Sequence, residues 1–198
     1  SVYSDSARTQ QIGTTSSVAV QEAGTAITDK VIRGNSLYNV VYGPAWTQAE
    51  QKAVEEGGHL AMLTDKQEND FVAYWYRQAA RTAYNITNDY IPDSERQNPY
   101  IGVTDNAQEG IWRYSNGDLA SYTNWVWGET TKVYDPEDYG VMGVFFSEYD
   151  PRYPALVGQW DDKADSISQY GQQYWYTQGI AEIPLTLSIT QSTQPKEG

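Results

Sequence analysis

The chain has 198 residues, 39% of them hydrophobic and 20% charged, so one well-buried core is expected rather than two. Its net charge of −13 leaves no basic stripe to neutralise phosphates, which excludes nucleic acid and anionic membrane surfaces as partners. There is no cysteine, hence no disulfide or thiolate metal site, and no apolar run approaches the ~20 residues of a membrane span.

Residues 1–35 open with a Ser-, Thr-, Gln- and Ala-rich stretch, read as an N-terminal extension: a linker or an extra strand. Leu37-Tyr38-Asn39-Val40-Val41-Tyr42 is β-prone and closed by Gly43-Pro44. Thr47-Gln48-Ala49-Glu50 has capping-box form, predicting a helix from Thr47 that leaves through Gly57-Gly58. After the apolar His59–Leu63 segment, Asp65-Lys66-Gln67-Glu68 repeats the capping logic. Phe71, Val72, Trp75 and Ala79 mark the buried face of the helix that follows. Thr82 to Pro99 is polar and irregular, a long connection.

Tyr100-Ile101-Gly102-Val103 predicts a strand, Asp105–Gly110 a turn, and Ile111–Tyr114 an alternating segment leading into the hairpin signal Ser115-Asn116-Gly117-Asp118. An acidic loop spans 126–139. Val141–Phe146, Val157–Trp160 and Ile180–Ile183 read as strands. The order is strand, two helices, then short strands with long loops, an α+β domain.

Between Trp125 and Asp162 the chain pools Glu129, Asp135, Glu137, Asp138, Asp161 and Asp162. Two like charges ~4 Å apart repel by about 1 kcal/mol in water and about 4 at an effective dielectric of 20, so such pooling invites a cation. Hard oxygen donors without nearby His or Cys point to Ca²⁺ rather than zinc or copper; the competing reading is a solvated, repelling surface. Asp105 and Glu109 read either as turn caps or as further ligands. With 17 Tyr and 7 Trp against 3 Phe, the aromatics suit both a β-rich core and a sugar-facing surface. Trp112, Trp125 and Trp160 read as core, and His59, the single histidine, as structural. No motif supports paired acids acting as a glycoside hydrolase would, there is no Cys nucleophile, and the single His has no evident partner in the sequence, so no enzyme is expected.

Gly57-Gly58-His59-Leu60-Ala61, Tyr100-Ile101-Gly102-Val103, Glu109-Gly110-Ile111-Trp112, Asn124-Trp125, Gly128-Glu129, Glu137-Asp138 and Gly158-Gln159-Trp160-Asp161-Asp162 follow one another in an order that resembles C-type lectin domains. Gly179-Ile180-Ala181-Glu182 stands where the family's closing strand falls. The resemblance covers roughly residues 36–185 and implies a domain over 36–187 with a tail over 188–198. It implies a C-type lectin-like fold of two helices, short antiparallel strands and a long calcium-binding loop region.

The resemblance also implies a sugar-bearing Ca²⁺ held by Glu129, Glu137, Asp161 and Asp162, with Thr131 as a fifth ligand. An auxiliary Ca²⁺ would use Asp105, Glu109, Glu137 and Asp138. Lys132 stands where a further acid is usual, and Asp135 is the candidate replacement. Tyr134, Tyr139 or Trp127 would add contact with a sugar face. Glu at position 129 implies mannose- or fucose-type hydroxyl pairs, although the family's Glu-Pro-Asn motif reads Glu129-Thr130-Thr131 here. Val54, Tyr139 and Ala181 take positions of the family's usual cysteines. That cysteine-free pattern resembles lectin modules of large bacterial RTX-type adhesins. The resemblance thus implies a monomeric module of a larger secreted or cell-surface chain, binding fucosylated or mannosylated cell-surface glycans. The alternative is a module of the same fold that binds protein, peptide or ice.

Overall fold

The computed structural model describes residues 27–86, 98–126, 137–144, 157–165 and 178–186. In chain order these form β1 (Val31–Arg33), β2 (Ser36–Tyr42), α1 (Trp46–Glu55), β3 (His59–Leu60) and α2 (Lys66–Ala83). They continue with β4 (Tyr100–Thr104), β5 (Arg113–Tyr114), β6 (Tyr139–Met142), β7 (Trp160–Lys163) and β8 (Gln178–Pro184). The strands join in one sheet ordered β1-β2-β8-β4-β6-β7, with β3 added on β8 and β5 on β4. Pairing is antiparallel except where β4 meets β8, at Tyr100 opposite Gly179. The last strand therefore sits mid-sheet, clamping the β1–β2 hairpin to the half that carries the acids.

Both helices end as their residues dictate. Gly57, at φ +92°, and Asn85, at φ +52°, take the left-handed exit. Behind them the Gly58 N–H donates to Ala53 O at 3.0 Å and the Ile86 N–H to Arg81 O at 2.9 Å. At the start of α2, Asp65 accepts from the Glu68 N–H at 2.8 Å, as predicted. The start of α1 differs from expectation. Ala45 is its N-cap and offers no side-chain bond. The missing acceptor comes from Asp165, which takes the Thr47 N–H and hydroxyl at 2.9 Å each. Glu50 instead reaches His59 Nδ1 at 2.6 Å and the Leu60 N–H at 2.8 Å, tying α1 to β3.

The buried stripe of α2 is Glu68, Asn69, Val72, Ala73, Tyr76, Ala79 and Ala80, with Phe71 and Trp75 at its flanks. A smaller cluster unites Trp46, Ala49 and Ala53 of α1 with Leu60, Tyr100, Tyr139, Val141 and Ala181. Of the positions matched to cysteines, Ala181 and Tyr139 are buried, but Val54 is 51% exposed and its neighbour Ala53 is fully buried. One residue turns a helix by about 100°, so a one-position slip in alignment moves a side chain out of the core. Tyr139 packs on Trp46 with ring centroids 5.0 Å apart.

Glu68 is a charged group in this core. Its carboxylate accepts from the Tyr38 hydroxyl at 2.6 Å and from the Thr64 N–H and hydroxyl at 2.7 and 2.8 Å. Arg33 of β1 lies 3.8 Å away. Truncation strands three donors, one of them on fully buried Tyr38. Glu68→Ala is expected to cost about 2–4 kcal/mol, read as a lower urea midpoint at unchanged slope, and Glu68→Gln less. A loss under about 0.5 kcal/mol would show that water replaces the carboxylate there.

Candidate functional site

The site is built outward from Trp160. This fully buried ring donates through Nε1 to Asn69 Oδ1 at 2.7 Å, and Asn69 Nδ2 donates to Gly158 O at 2.9 Å. Asn124 Nδ2 donates to that same carbonyl at 2.7 Å. Backbone bonds from Trp160 N to Asn124 O and from Val126 N to Trp160 O, each 2.8 Å, lace the 124–126 segment alongside. Tyr122 and Trp125 meet the Trp160 ring edge-on, with centroids 5.6 and 5.5 Å away. Gly158 turns the chain at φ +84°, and a Cβ there would sit 3.0 Å from Asn69 Nδ2. The turn occupies Val157-Gly158, so the strand predicted over 157–160 instead runs Trp160–Lys163 and carries Asp161 and Asp162.

Pairing of β7 with β6 places Asp161 opposite Val141, Asp162 opposite Gly140 and Lys163 opposite Tyr139. Side chains alternate along a strand, so Asp161 and Lys163 share a face. The Lys163 ammonium lies 2.7 Å from Asp161 Oδ2 and 3.7 Å from Glu137 Oε1. Burial pushes the Asp162 carboxyl up from 3.8 to about 6, with the charges of Asp161 and Glu137 adding and Lys163 opposing. Glu137, Asp161, Asp162 and Lys163 thus form one electrostatic cluster.

Asp105, Glu109 and Asp138 form a second. Tyr100 and Thr104 are four positions apart on β4, whereas their β6 partners Val141 and Tyr139 are two positions apart. This bulge delivers Asp105 to Asp138, whose carbonyl accepts the Asp105 N–H at 3.2 Å. Asp105 is 3% exposed; its Oδ2 accepts the Gly110 N–H at 2.8 Å. Burial raises its carboxyl above the ordinary range, and the charges of Glu109 and Asp138 add to the rise. Asp138 is raised by burial first and by Asp165 second. The turn-cap and ligand readings of Asp105 are compatible, because one oxygen caps the turn and the other does not.

Among the described residues, Asp105 Oδ1 and Asp161 Oδ1 are buried carboxylate oxygens with no hydrogen-bond partner. An unpartnered buried carboxylate oxygen is costly, and a cation supplies what it lacks. The donor set thus fits a hard divalent ion. Among the described residues alone, however, no three acids converge closely enough to hold a metal by themselves. Glu129, Thr131, Tyr134, Trp127 and Asp135 lie outside the described residues. A separate cleft of about 340 Å³ between Met62, Thr64, Glu68, Leu119 and Glu182 shares no residue with either cluster.

Reading the sequence missed Asn69, Lys163 and Asp165. Asn69 had a visible signal, since it stands three residues before Val72, on the face that helical spacing marks as buried. Lys163 had a local signal too, since Asp161 stands two residues before it on one strand face; Asp165 had none, because its partner Thr47 lies on α1.

A family model described as the lectin C-type domain matches residues 43–171, more than half of the chain. Among curated proteins, the galactose-specific lectin nattectin of Thalassophryne nattereri is 25% identical over 87 residues, covering 44% of this chain and 46% of nattectin. The chain thus spans about half of that relative. A perlucin-like protein of Mytilus galloprovincialis is 27% identical over 130 residues, covering 65% of this chain and 68% of its own. Among solved structures, the mouse scavenger receptor C-type lectin carbohydrate-recognition domain superposes with a TM-score of 0.52 at 17% identity, over 81% of this chain and 97% of that one. A calcium-independent type II antifreeze protein superposes with a TM-score of 0.53 at 17% identity, over 83% and 95%. At such identities the structural likeness is one of fold alone.

Proposed function

For a chain that belongs to the C-type lectin domain family, we propose calcium-dependent carbohydrate binding, with the unpartnered carboxylate oxygens of Asp161 and Asp105 as the observation that carries it. Asp161, Asp162 and Glu137, joined by Glu129 and Thr131, would hold the ion that faces sugar; Asp105, Glu109 and Asp138 would hold an auxiliary one. Bound Ca²⁺ takes 6 to 8 oxygens and so supplies coordination places for a vicinal pair of sugar hydroxyls.

The remaining work falls to the protein. Glu129 and Glu137 would accept hydrogen bonds from the sugar hydroxyls, Tyr134 would contact the sugar face, and the Trp160–Asn69 anchor holds β7 so that the acids need not reorganise. One sugar over an exposed ion gives roughly millimolar affinity, about −4 kcal/mol. Useful adhesion then needs many copies.

Glu129 favours fucose- or mannose-type glycans in this reading, whereas nattectin is galactose-specific by name. The resemblance to cysteine-free lectin modules of RTX-type adhesins favours a place in a secreted or cell-surface bacterial adhesin, although nattectin and the perlucin-like protein are eukaryotic. No helix among the described residues is long and apolar enough to cross a membrane. The family is one of non-enzymatic lectins. A second reading, binding protein, peptide or ice without sugar, is favoured by the Glu129-Thr130-Thr131 motif and by the fold shared with the calcium-independent antifreeze protein.

A glycan array run with millimolar Ca²⁺ and again with chelator decides between them. Signal on fucosylated or mannosylated glycans that vanishes with chelator is the expected result. Signal on galactosides alone would overturn the sugar class. A blank array in both conditions would favour the second reading.

A further inference from the structure

We propose that the Lys163 ammonium is a built-in counter-cation of the acid cluster, one that steadies the metal-free site and lowers its affinity for Ca²⁺. The calcium half rests on the function proposed above; the metal-free half does not.

Lys163 and Asp161 point to the same face of β7, and the ammonium sits 2.7 Å from Asp161 Oδ2. Glu137 Oε1 is 3.7 Å away, and the lysine side chain is only 24% exposed. The ammonium thus occupies one oxygen of Asp161, while the other oxygen, Oδ1, is buried without a hydrogen-bond partner among the described residues. The pairing splits the carboxylate: one end is neutralised from within the fold, and the other remains for an external ion. Asp162, the next residue, feels Asp161, Glu137 and Lys163 together, so the lysine acts on the whole cluster rather than on one partner.

Two consequences follow from Coulomb's law. Without calcium, removing the ammonium leaves Glu137, Asp161 and Asp162 to repel one another in a partly buried setting. With calcium, a dication on Asp161 Oδ1 lies within a few ångströms of the ammonium. At that separation the repulsion is worth at least about a tenfold change in affinity, even at the dielectric of water. A lysine that merely decorated the surface would do neither, since exposed pairs contribute little.

The test uses the full 198-residue chain with Lys163→Gln and Lys163→Arg, titrated with Ca²⁺ alone by calorimetry and melted in chelator. Lys163→Gln is expected to melt several degrees lower in chelator and to bind Ca²⁺ about tenfold more tightly. Lys163→Arg, which keeps the charge, is expected to match the parent in both. An unchanged or raised melting temperature for Lys163→Gln in chelator overturns the inference. So does an unchanged or weaker calcium affinity where the parent binds the ion, and that outcome leaves the lectin reading intact. Binding by Lys163→Gln but not by the parent upholds the inference while refuting a calcium-dependent function for the natural chain. Binding by neither refutes the calcium half together with the calcium-dependent function, and the melting comparison in chelator then decides the metal-free half alone.

Discussion

Trp160→Ala is expected to lower the unfolding free energy by about 4 kcal/mol, within the range for removing a fully buried tryptophan, and so to lower Tm by roughly 8–16 °C in a domain of this size. The substitution deletes a ring with no exposed surface and its edge-on contacts with Tyr122 and Trp125. It also strands Asn69 Oδ1, which accepts the indole N–H at 2.7 Å deep in the core. Typical domains hold only about 5–15 kcal/mol in total, so this one change spends much of the margin. Trp160→Phe restores most of the volume but not the donor and is expected to recover about half of the loss. Chemical denaturation of the three proteins measures this directly. A loss below about 1 kcal/mol for the alanine variant would mean that Trp160 does not anchor the strand carrying the acids.

Asp162→Asn is expected to separate stability from binding: higher Tm in chelator, calcium affinity at least about tenfold weaker. Burial, with the charges of Asp161 and Glu137, raises the Asp162 carboxyl from 3.8 to about 6. A group whose folded value is raised contributes stability that is fully present below its unfolded value. That contribution is lost as pH rises through the folded value. Asp162 therefore favours folding below about pH 4 and has ceased to do so above about pH 6. Burial raises Asp105, Asp138 and Glu182 in the same direction. In chelator the parent protein should gain thermal stability as pH falls from 8 towards 5, and Asp162→Asn should flatten part of that slope. With calcium added, the gain in Tm should be larger at pH 7.5 than at pH 5.5, because protons compete for the same oxygens. Asp162→Asn melting at the parent temperature in chelator while binding calcium normally would remove Asp162 from the site.

Much of the scaffold was legible in local chemistry. Asp65 before an apolar stripe marked the start of α2, Gly57 marked the end of α1, and β2, β4 and β8 fell where β-branched and aromatic runs predicted. What failed did so where a distant residue supplied the missing partner. Thr47 looked like a cap because a hydroxyl three residues before a glutamate fits that pattern. In the fold the cap is Ala45, Asp165 provides the acceptor from 118 residues away, and Glu50 is drawn off to β3. Val31–Arg33 lies in the stretch read as a linker or an extra strand, and it is a strand, paired with β2.

The same division runs through the candidate site. Composition and order alone determined that this is a cysteine-free, acidic domain whose carboxylates gather late in the chain, and that their donor type suits a hard cation. Only the tertiary structure decided which oxygens lack a partner. Asp105 Oδ2 is satisfied by the Gly110 N–H and Asp161 Oδ2 by the Lys163 ammonium, while among the described residues both Oδ1 atoms are left over. The reason is physical. A side chain's type and charge are properties of the residue, but its hydrogen-bond count depends on what burial removes and what neighbouring strands return. The Asn69–Trp160 bond that sets β7 in place spans 91 residues and leaves no trace in any local pattern.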